Sequence, residues 1–156
     1  SAVEGPAMAG AFGIVCSSDL VLSMSSARFA MTETRLGLSP AQIAPYVIDR
    51  LGFSNARKLI LLGFSIDGNQ AYDMGLTDYL STTKEEFNET LNSIKRQVNQ
   101  CAPHALTLTK NIIRPRNEID IDLSAKIFAD CIESEEGKEG IKSFFEKKKP
   151  YWAVRS

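Results

Sequence analysis

The stretch SAVEGPAMAGAFGIVCSSDLVLS, residues 1–23, passes from strand-like residues through a turn rich in glycine and alanine directly into a helix. The helix is predicted from Ala11 to Cys16, and no polar residue stands at its start to cap it. Small residues at 9–11 leave backbone N–H groups, with the positive end of the helix dipole behind them, open to a ligand oxygen. The turn therefore predicts a backbone anion site, of the kind that stabilises an oxyanion.

Two nucleotide-binding motifs were compared with the same turn. Gly5 and Gly10 have the spacing of a P-loop, but Ala11 and Phe12 stand where Lys and Ser or Thr would hold phosphate and magnesium. This excludes a P-loop. A dinucleotide fingerprint needs three glycines, and Met8 occupies the place of the first, so this alternative is strongly disfavoured.

Neither nucleophilic hydrolysis nor a metal site is indicated. The chain has no G-x-S-x-G motif, and its one histidine, His104, follows Pro103 at a predicted helix start, where a structural role is sufficient. The three cysteines, Cys16, Cys101 and Cys131, are odd in number and widely spaced, which argues against disulfides and against zinc. Reduced thiols favour a cytoplasmic location.

Length and composition indicate a globular protein of ordinary domain size. The chain has 156 residues, of which 44% are hydrophobic and 24% charged. The 18 basic residues nearly balance the 19 acidic ones, which gives no electrostatic argument for nucleic acid or an anionic membrane as a partner. No apolar run has the length of a membrane span, and no signal peptide is indicated.

Strands are predicted mainly in the first half of the chain and helices in the second. Gly and Pro positions and apolar spacing set the predicted boundaries, with Asp67 as a predicted helix cap and Thr83 with Glu86 as a predicted capping box. Strands are expected near 1–3, 19–23, 27–31 and 76–81, a turn at 40–44, and helices at 45–52, 54–63, 67–75, from Thr83 onward, from Pro103, at 121–133 and at 135–148.

Four longer segments resemble one family. VEGPAMAGAFGIVCSSDLVLS, followed by ARFAMTETRLGLSPAQIAPYV, is similar to the pattern V-x-G-x-A-x-G-G-G, helix, strand, A-x-F, T-E and G-x-x-P of the crotonase superfamily, the enoyl-CoA hydratases and isomerases. LLGFSIDGNQAYDMGLTDYL and EGIKSFFEKKKPYW extend the likeness over essentially the whole chain. The segment ETRLGLSPAQIAPYV is most similar to hydratases of methylglutaconyl-CoA and isohexenylglutaconyl-CoA.

The resemblance implies roles for particular residues. Gly10 matches the glycine whose amide is the second donor of an oxyanion hole for the acyl-CoA thioester oxygen, and Glu33 matches a catalytic glutamate that exchanges a proton with the acyl carbon or water. Substrate-binding positions are implied for Met8, Ala9, Leu36, Pro40, Phe144 and Lys147. For Lys147, a solvated surface charge is an equally good interpretation, and Glu33 has the alternative of a plain surface residue at a strand end.

Two departures from the family pattern bear on the reaction. Gly13 stands where the main branch of hydratases carries its first glutamate, so only one of the two carboxylates of two-glutamate hydration is present. This favours one-base chemistry, although the glutaconyl-type branch also carries Gly there. The family's N-terminal part, with the first oxyanion donor and most CoA contacts, has no counterpart in these residues, and we expect the chain alone to lack appreciable hydratase activity.

The sequence therefore predicts an α/β fold of the crotonase (ClpP/crotonase-like) spiral type, truncated at the N-terminus, with residues 1–80 in the spiral core and 81–156 forming a helical C-terminal trimerisation portion. The predicted function is enoyl-CoA hydratase-like, with an enoyl-CoA isomerase using Glu33 alone, or an inactive oligomerising module, as alternatives. No metal and no cofactor beyond the CoA of the substrate is expected. The expected partners are an acyl-CoA and further copies of the chain, as a homotrimer or hexamer, with no nucleic acid or membrane.

Overall fold

The computed structural model describes residues 1–113 and 121–153. They fall into two compact units, 1–92 and 93–156. The strands are β1 Ala2–Val3, β2 Pro6–Met8, β3 Leu22–Met24, β4 Arg28–Ala30, β5 Ser65–Asp67 and β6 Tyr79–Ser81. The helices are α1 Gly10–Cys16, a one-turn 3₁₀ helix Glu33–Leu36, α2 Ala44–Leu62, α3 Gly68–Asp73, α4 Lys84–Asn99, α5 Pro103–Ile112, α6 Ile121–Glu133 and α7 Glu135–Phe145.

The first unit contains two three-stranded sheets. One has the order β1-β3-β6 with all strands parallel, and the other has the order β2-β4-β5, in which β2 and β4 are parallel and β5 is antiparallel. The strands β2 and β5 were absent from the sequence prediction. Each has three residues, too few for a periodic signal, and each exists through pairing with β4.

The strands β3 and β6 are shorter than predicted because an aspartate side chain takes part in the hydrogen bonding at their first residues. The Asp78 carboxylate accepts the N–H of Val21 at 2.7 Å, so this amide is taken before the ladder with β6 begins. Arg50 of α2 donates to the same carboxylate at 2.6 Å and to the carbonyl oxygen of Leu76 at 3.1 Å. The predicted strands at 19–23 and 76–81 therefore begin only at Leu22 and Tyr79.

The apolar core of this unit lies between the sheets, α1 and α2. Phe12 of α1 and Phe29 of β4 are fully buried and meet edge to face, with ring centroids 6.3 Å apart. Val47 and Leu59 bring the two halves of α2 onto the same cluster. The core thus packs α1 against β4.

The predicted break at Gly52 is confirmed, although the helix resumes at once. Gly52 has φ 70° and ψ 160°, values outside the helical region, in the middle of α2. Phe53 follows it directly in the second half of the helix. The helices predicted at 45–52 and 54–63 are therefore two arms of one kinked element that ends before Gly63.

Two of the predicted helix caps, at Asp67 and Thr83, are present. Asp67 and Gln70 form a capping box at α3, with each side chain bonded to the other's amide at 2.9 and 3.0 Å. At α4, the Thr83 hydroxyl accepts the N–H of Glu86 as predicted. The Glu86 carboxylate accepts the backbone N–H of Thr82 and not that of Thr83, so the capping box is incomplete. The hydrogen bonds from Thr82 lower the pKa of Glu86.

In the second unit, a carboxylate caps the N-terminus of a helix. Glu136 of α7 accepts the backbone N–H groups of His104 and Ala105 at 2.9 and 3.4 Å, which places an anion at the N-terminus of α5. The helix α6 has the predicted bounds, whereas α7 ends three residues early because Lys147 has a left-handed backbone with φ 54°. Over the described ranges, the longer helices all lack the sustained apolar character that crossing a bilayer requires.

Candidate active site

Two parallel strands bring the predicted site residues to one edge of a sheet. The pairing of β2 with β4 sets Met8 opposite Ala30, so Ala9 and Met31 both leave the carboxyl edge of this sheet. The N–H of Ala9 donates to the carbonyl oxygen of Ala30 at 2.9 Å, which extends the pairing by one bond. Gly10 follows on one chain segment and Glu33 on the other.

Ala9 turns the chain sharply from β2 into α1. Its backbone has φ 51° and ψ −120°, a region that L-residues other than glycine seldom adopt. Its N–H is bonded to Ala30 and its carbonyl oxygen accepts the N–H of Gly13 at 3.2 Å. Strain of this kind costs about 1–3 kcal/mol and is concentrated at functional sites. Ala9 occupies a position where the family pattern has glycine.

The start of α1 has no side-chain cap for its first backbone amides. Ala9 is the residue before the helix and makes no side-chain cap. Gly10 and Ala11 are the first two helical residues, and an α-helix supplies no acceptor for its first amides. Gly10 is exposed, so its N–H is accessible to a ligand oxygen.

Glu33 begins the 3₁₀ helix that follows β4. Its residue is half-buried, and its Oε2 atom is fully buried with no hydrogen-bond partner among the described residues. Its carbonyl oxygen accepts the N–H of Leu38 at 3.0 Å, which closes the turn behind it. An unpaired buried carboxylate oxygen is rare and costly, because the group loses its hydration without a replacement donor. Such an atom is suited to receive a proton or a donor from a substrate.

Gly13 has no room for a side chain. A Cβ added there would lie 2.6 Å from Cγ2 and 2.8 Å from Cβ of Ile43, the residue before α2. Ile43 thus fills the space that a side chain at position 13 would enter. An isoleucine side chain therefore occupies the space that a glutamate at this position would need.

The remaining candidates of the first unit differ in accessibility. Met8 and Ala9 are partly buried at the end of β2, and Pro40 is buried before α2. Leu36 is 72% exposed at the end of the 3₁₀ helix. Pro40 accepts the N–H of Ile43 at 3.1 Å, so it also shapes the approach to α2.

The two C-terminal candidates belong to the second unit. Phe144 lies near the end of α7 with 78% exposure and contacts Phe145 edge to face, with ring centroids 5.7 Å apart. Lys147 is exposed in the left-handed turn that ends α7. Both side chains are accessible to a ligand or to another chain.

A wide cleft of about 350 Å³ is lined by residues 1–7 and by Ala11, Ile14 and Val15 of α1. Neither Glu33 nor Gly10 lines it, so the candidate site is defined by the sheet edge and not by this cavity. Within 1–113 and 121–153, His, Cys, Asp and Glu side chains form no group of three that could hold a metal ion.

Comparison with known proteins identifies the family. The family model described as enoyl-CoA hydratase/isomerase matches residues 1–155. The chain belongs to this family. Among curated members of the family, it is 30% identical over 154 residues to the short-chain-enoyl-CoA hydratase of Clostridium acetobutylicum, covering 96% of this chain and 59% of that protein.

Two solved structures share the fold of this chain. An enoyl-CoA hydratase/isomerase from Marinobacter aquaeolei is 38% identical with a TM-score of 0.91, covering 97% of this chain and 59% of that one. Pseudomonas aeruginosa AtuE is 35% identical with the same TM-score of 0.91, covering 97% of this chain and 60% of that one. The predicted crotonase-type α/β fold is thereby confirmed. The chain spans about 60% of the length of these relatives.

Sequence reasoning missed three residues that shape this family member's site. Ile43 gave no signal, because its contact with Gly13 joins residues 30 positions apart through the packing of α1 on α2. Thr34 and Arg35 directly follow Glu33, and their side chains bond to the end of α2. Their polar character next to a candidate catalytic residue was the one available hint.

Proposed function

We propose that the native protein carrying residues 1–156 acts on an acyl-CoA thioester, and that the reaction is enoyl-CoA hydratase-like. Membership of the enoyl-CoA hydratase/isomerase family supports the substrate class. Moving a proton next to a thioester passes through an enolate, whose charge falls on the thioester oxygen. The exposed amide of Gly10 at the start of α1 is the donor proposed for this oxygen, and one such donor typically contributes ~10²–10³ in rate.

Glu33 is the proposed acid and base. The observation that carries this proposal is its buried Oε2, which lacks a hydrogen-bond partner among the described residues. The pairing of β2 with β4 leads the chain to Gly10 and to Glu33 from the same sheet edge, which supports one shared site for the thioester oxygen and the acyl carbons. A carboxylate so placed exchanges a proton with the acyl chain or with a water molecule.

Double-bond migration by Glu33 alone is the second candidate, and the contact of Gly13 with Ile43 favours it. Two-glutamate hydration places a second carboxylate at position 13, where Ile43 leaves no room. Isomerisation needs one base that removes a proton and returns it at another carbon. The likeness of residues 33–47 to glutaconyl-type hydratases supports hydration of a branched enoyl-CoA instead.

A panel of straight and branched enoyl-CoAs tests both candidates in the native protein. Hydration of a conjugated 2-enoyl-CoA removes its conjugated absorbance, whereas conversion of a 3-enoyl-CoA to the 2-enoyl isomer creates that absorbance. We expect one of these signals with wild type and its loss in Glu33→Gln. A native protein that changes neither class of substrate contradicts the proposal. Residues 1–156 alone should turn over crotonyl-CoA far more slowly than the native protein, because they span only 59% of the length of the Clostridium relative.

Self-association into a homotrimer or hexamer is proposed for the second unit. Its helices carry large apolar side chains that are 43–78% exposed, namely Ile121, Leu123, Phe128, Ile132, Ile141, Phe144 and Phe145. Exposed apolar surface of this extent is typical of an interface. Sedimentation over a range of concentrations should give a threefold species, and a strictly monomeric chain at high concentration would refute this assignment. An inactive chain that still associates would support the oligomerising module instead.

A further inference from the structure

The end of α2 lies directly against the turn that carries Glu33. The Thr34 hydroxyl donates to the carbonyl oxygen of Ile60 at 3.2 Å, and Nε of Arg35 donates to the carbonyl oxygen of Leu62 at 3.2 Å. Both carbonyls belong to the last turn of α2, where the helix itself provides no donor. Two consecutive side chains therefore complete the hydrogen bonding of this helix end.

The residue that follows α2 is shaped for the same contact. Gly63 has φ 60°, and a Cβ there would lie 3.0 Å from the carbonyl oxygen of Met31 and 3.2 Å from Cγ and Nε of Arg35. Only a glycine combines this backbone with so close an approach. The guanidinium of Arg35 also lies at the negative end of the α2 dipole, which favours a cation there.

The geometry points to Thr34 and Arg35 as positioning residues that hold Glu33 in place by tying its turn to the end of α2. Glu33 needs such support because its buried Oε2 has no partner among the described residues to orient it. With both ties present, the backbone of the turn is fixed on one side by β4 and on the other by α2. This inference rests on the proposed role of Glu33 as acid and base.

Thr34→Val removes the first tie at nearly constant volume, and Arg35→Met removes the second while keeping most of the aliphatic stem. Thr34→Ser retains the hydroxyl and is the conservative comparison. Thr90→Val on α4 repeats the first change elsewhere, and Lys58→Met at an exposed position of α2 removes another long cationic side chain as the second control. The variants are made in the native protein that carries residues 1–156.

The first readout is independent of catalysis. The N–H of Leu38 donates to the carbonyl oxygen of Glu33, so its hydrogen-exchange rate reports opening of this turn. Loss of both ties should raise this rate about tenfold, since each hydrogen bond contributes modestly to local stability. Thr34→Ser and the two controls should exchange like wild type. An unchanged Leu38 rate in Thr34→Val/Arg35→Met overturns the inference.

The second readout separates positioning from general stability. Thr34→Val/Arg35→Met should lower kcat by about 10- to 100-fold with KM nearly unchanged, because a misplaced base fails in the chemical step. In a Glu33→Gln background the same pair should cause no further loss. Full kcat in the double variant, with Glu33→Gln inactive, overturns the positioning role. Full kcat in Glu33→Gln instead overturns the proposed function and this inference with it, a result recognised without reference to Leu38 exchange.

Discussion

Gly13 of α1 lies in direct contact with Ile43, the residue before α2, at a distance that excludes any side chain on position 13. A Cβ there would be 2.6 Å from Cγ2 of Ile43, whereas unstrained carbon contacts lie near 3.5–4.0 Å. The contact sets the approach of α1 to α2, and α1 carries the amide of Gly10. Gly13 stands where the main branch of hydratases has a glutamate, and the contact with Ile43 shows that packing at this position requires a glycine.

Gly13→Ala should destabilise the fold by about 1–3 kcal/mol through overpacking, despite the better helix propensity of alanine. Ile43→Ala should reduce that penalty, so the double variant should lose less stability than the sum of the single variants. Urea unfolding of the three variants measures this coupling. Strict additivity would show that the two residues do not constrain each other.

Ala9→Gly should stabilise the protein by about 1 kcal/mol. Relief of the strained backbone at φ 51°, worth about 1–3 kcal/mol, exceeds the entropic cost of glycine, about 0.5–1 kcal/mol. Ala11 lies two residues further on, within α1. Ala11→Gly should destabilise the protein by up to about 1 kcal/mol and serves as the control. Thermal unfolding would contradict the strain assignment if both variants lost stability equally.

Cys16 should make stability depend on alkaline pH. Burial raises the pKa of its thiol from 9.0 to about 12, against a smaller lowering by Arg50. Between these values the unfolded chain loses the proton first, so stability falls as pH rises from 9 toward 12, by at most about 1.4 kcal/mol per pH unit.

Cys16→Ala should show a shallower fall in stability over this alkaline range than wild type. Cys101→Ala is the control, because Cys101 is exposed whereas Cys16 is buried. A thiol reagent should label Cys101 in the folded protein and reach Cys16 only after unfolding. Rapid labelling of Cys16 in the native state would contradict its burial.

Local signals predicted the helices well because a cap and its helix are adjacent in sequence. The Asp67 cap of α3 and the bounds 121–133 of α6 follow from residues within one or two turns. The left-handed Lys147, which ends α7 early, has no such signal in a lysine. The short strands β2 and β5 depend on pairing with β4, so no window of their own residues reveals them.

The same difference between local signals and long-range contacts applies to the candidate site. Gly10 and Glu33 were found because their type and spacing match a family pattern, and their placement at one sheet edge follows from two parallel strands. Ile43 acts on Gly13, and Ile60 on Thr34, across 26 or more residues. Such contacts arise only when distant elements pack against each other, so no local sequence pattern predicts them.

Glu33→Gln in the native protein tests the central claim most directly, because it keeps the size of the side chain and removes the base. With the enoyl-CoA that the wild type converts best, kcat should fall by ~10²–10⁴ while folding, measured by thermal unfolding, is retained. Glu89→Gln, at an exposed glutamate of α4, is the control and should keep wild-type kcat. A Glu33→Gln protein with full kcat would contradict the assignment of Glu33 as the acid and base.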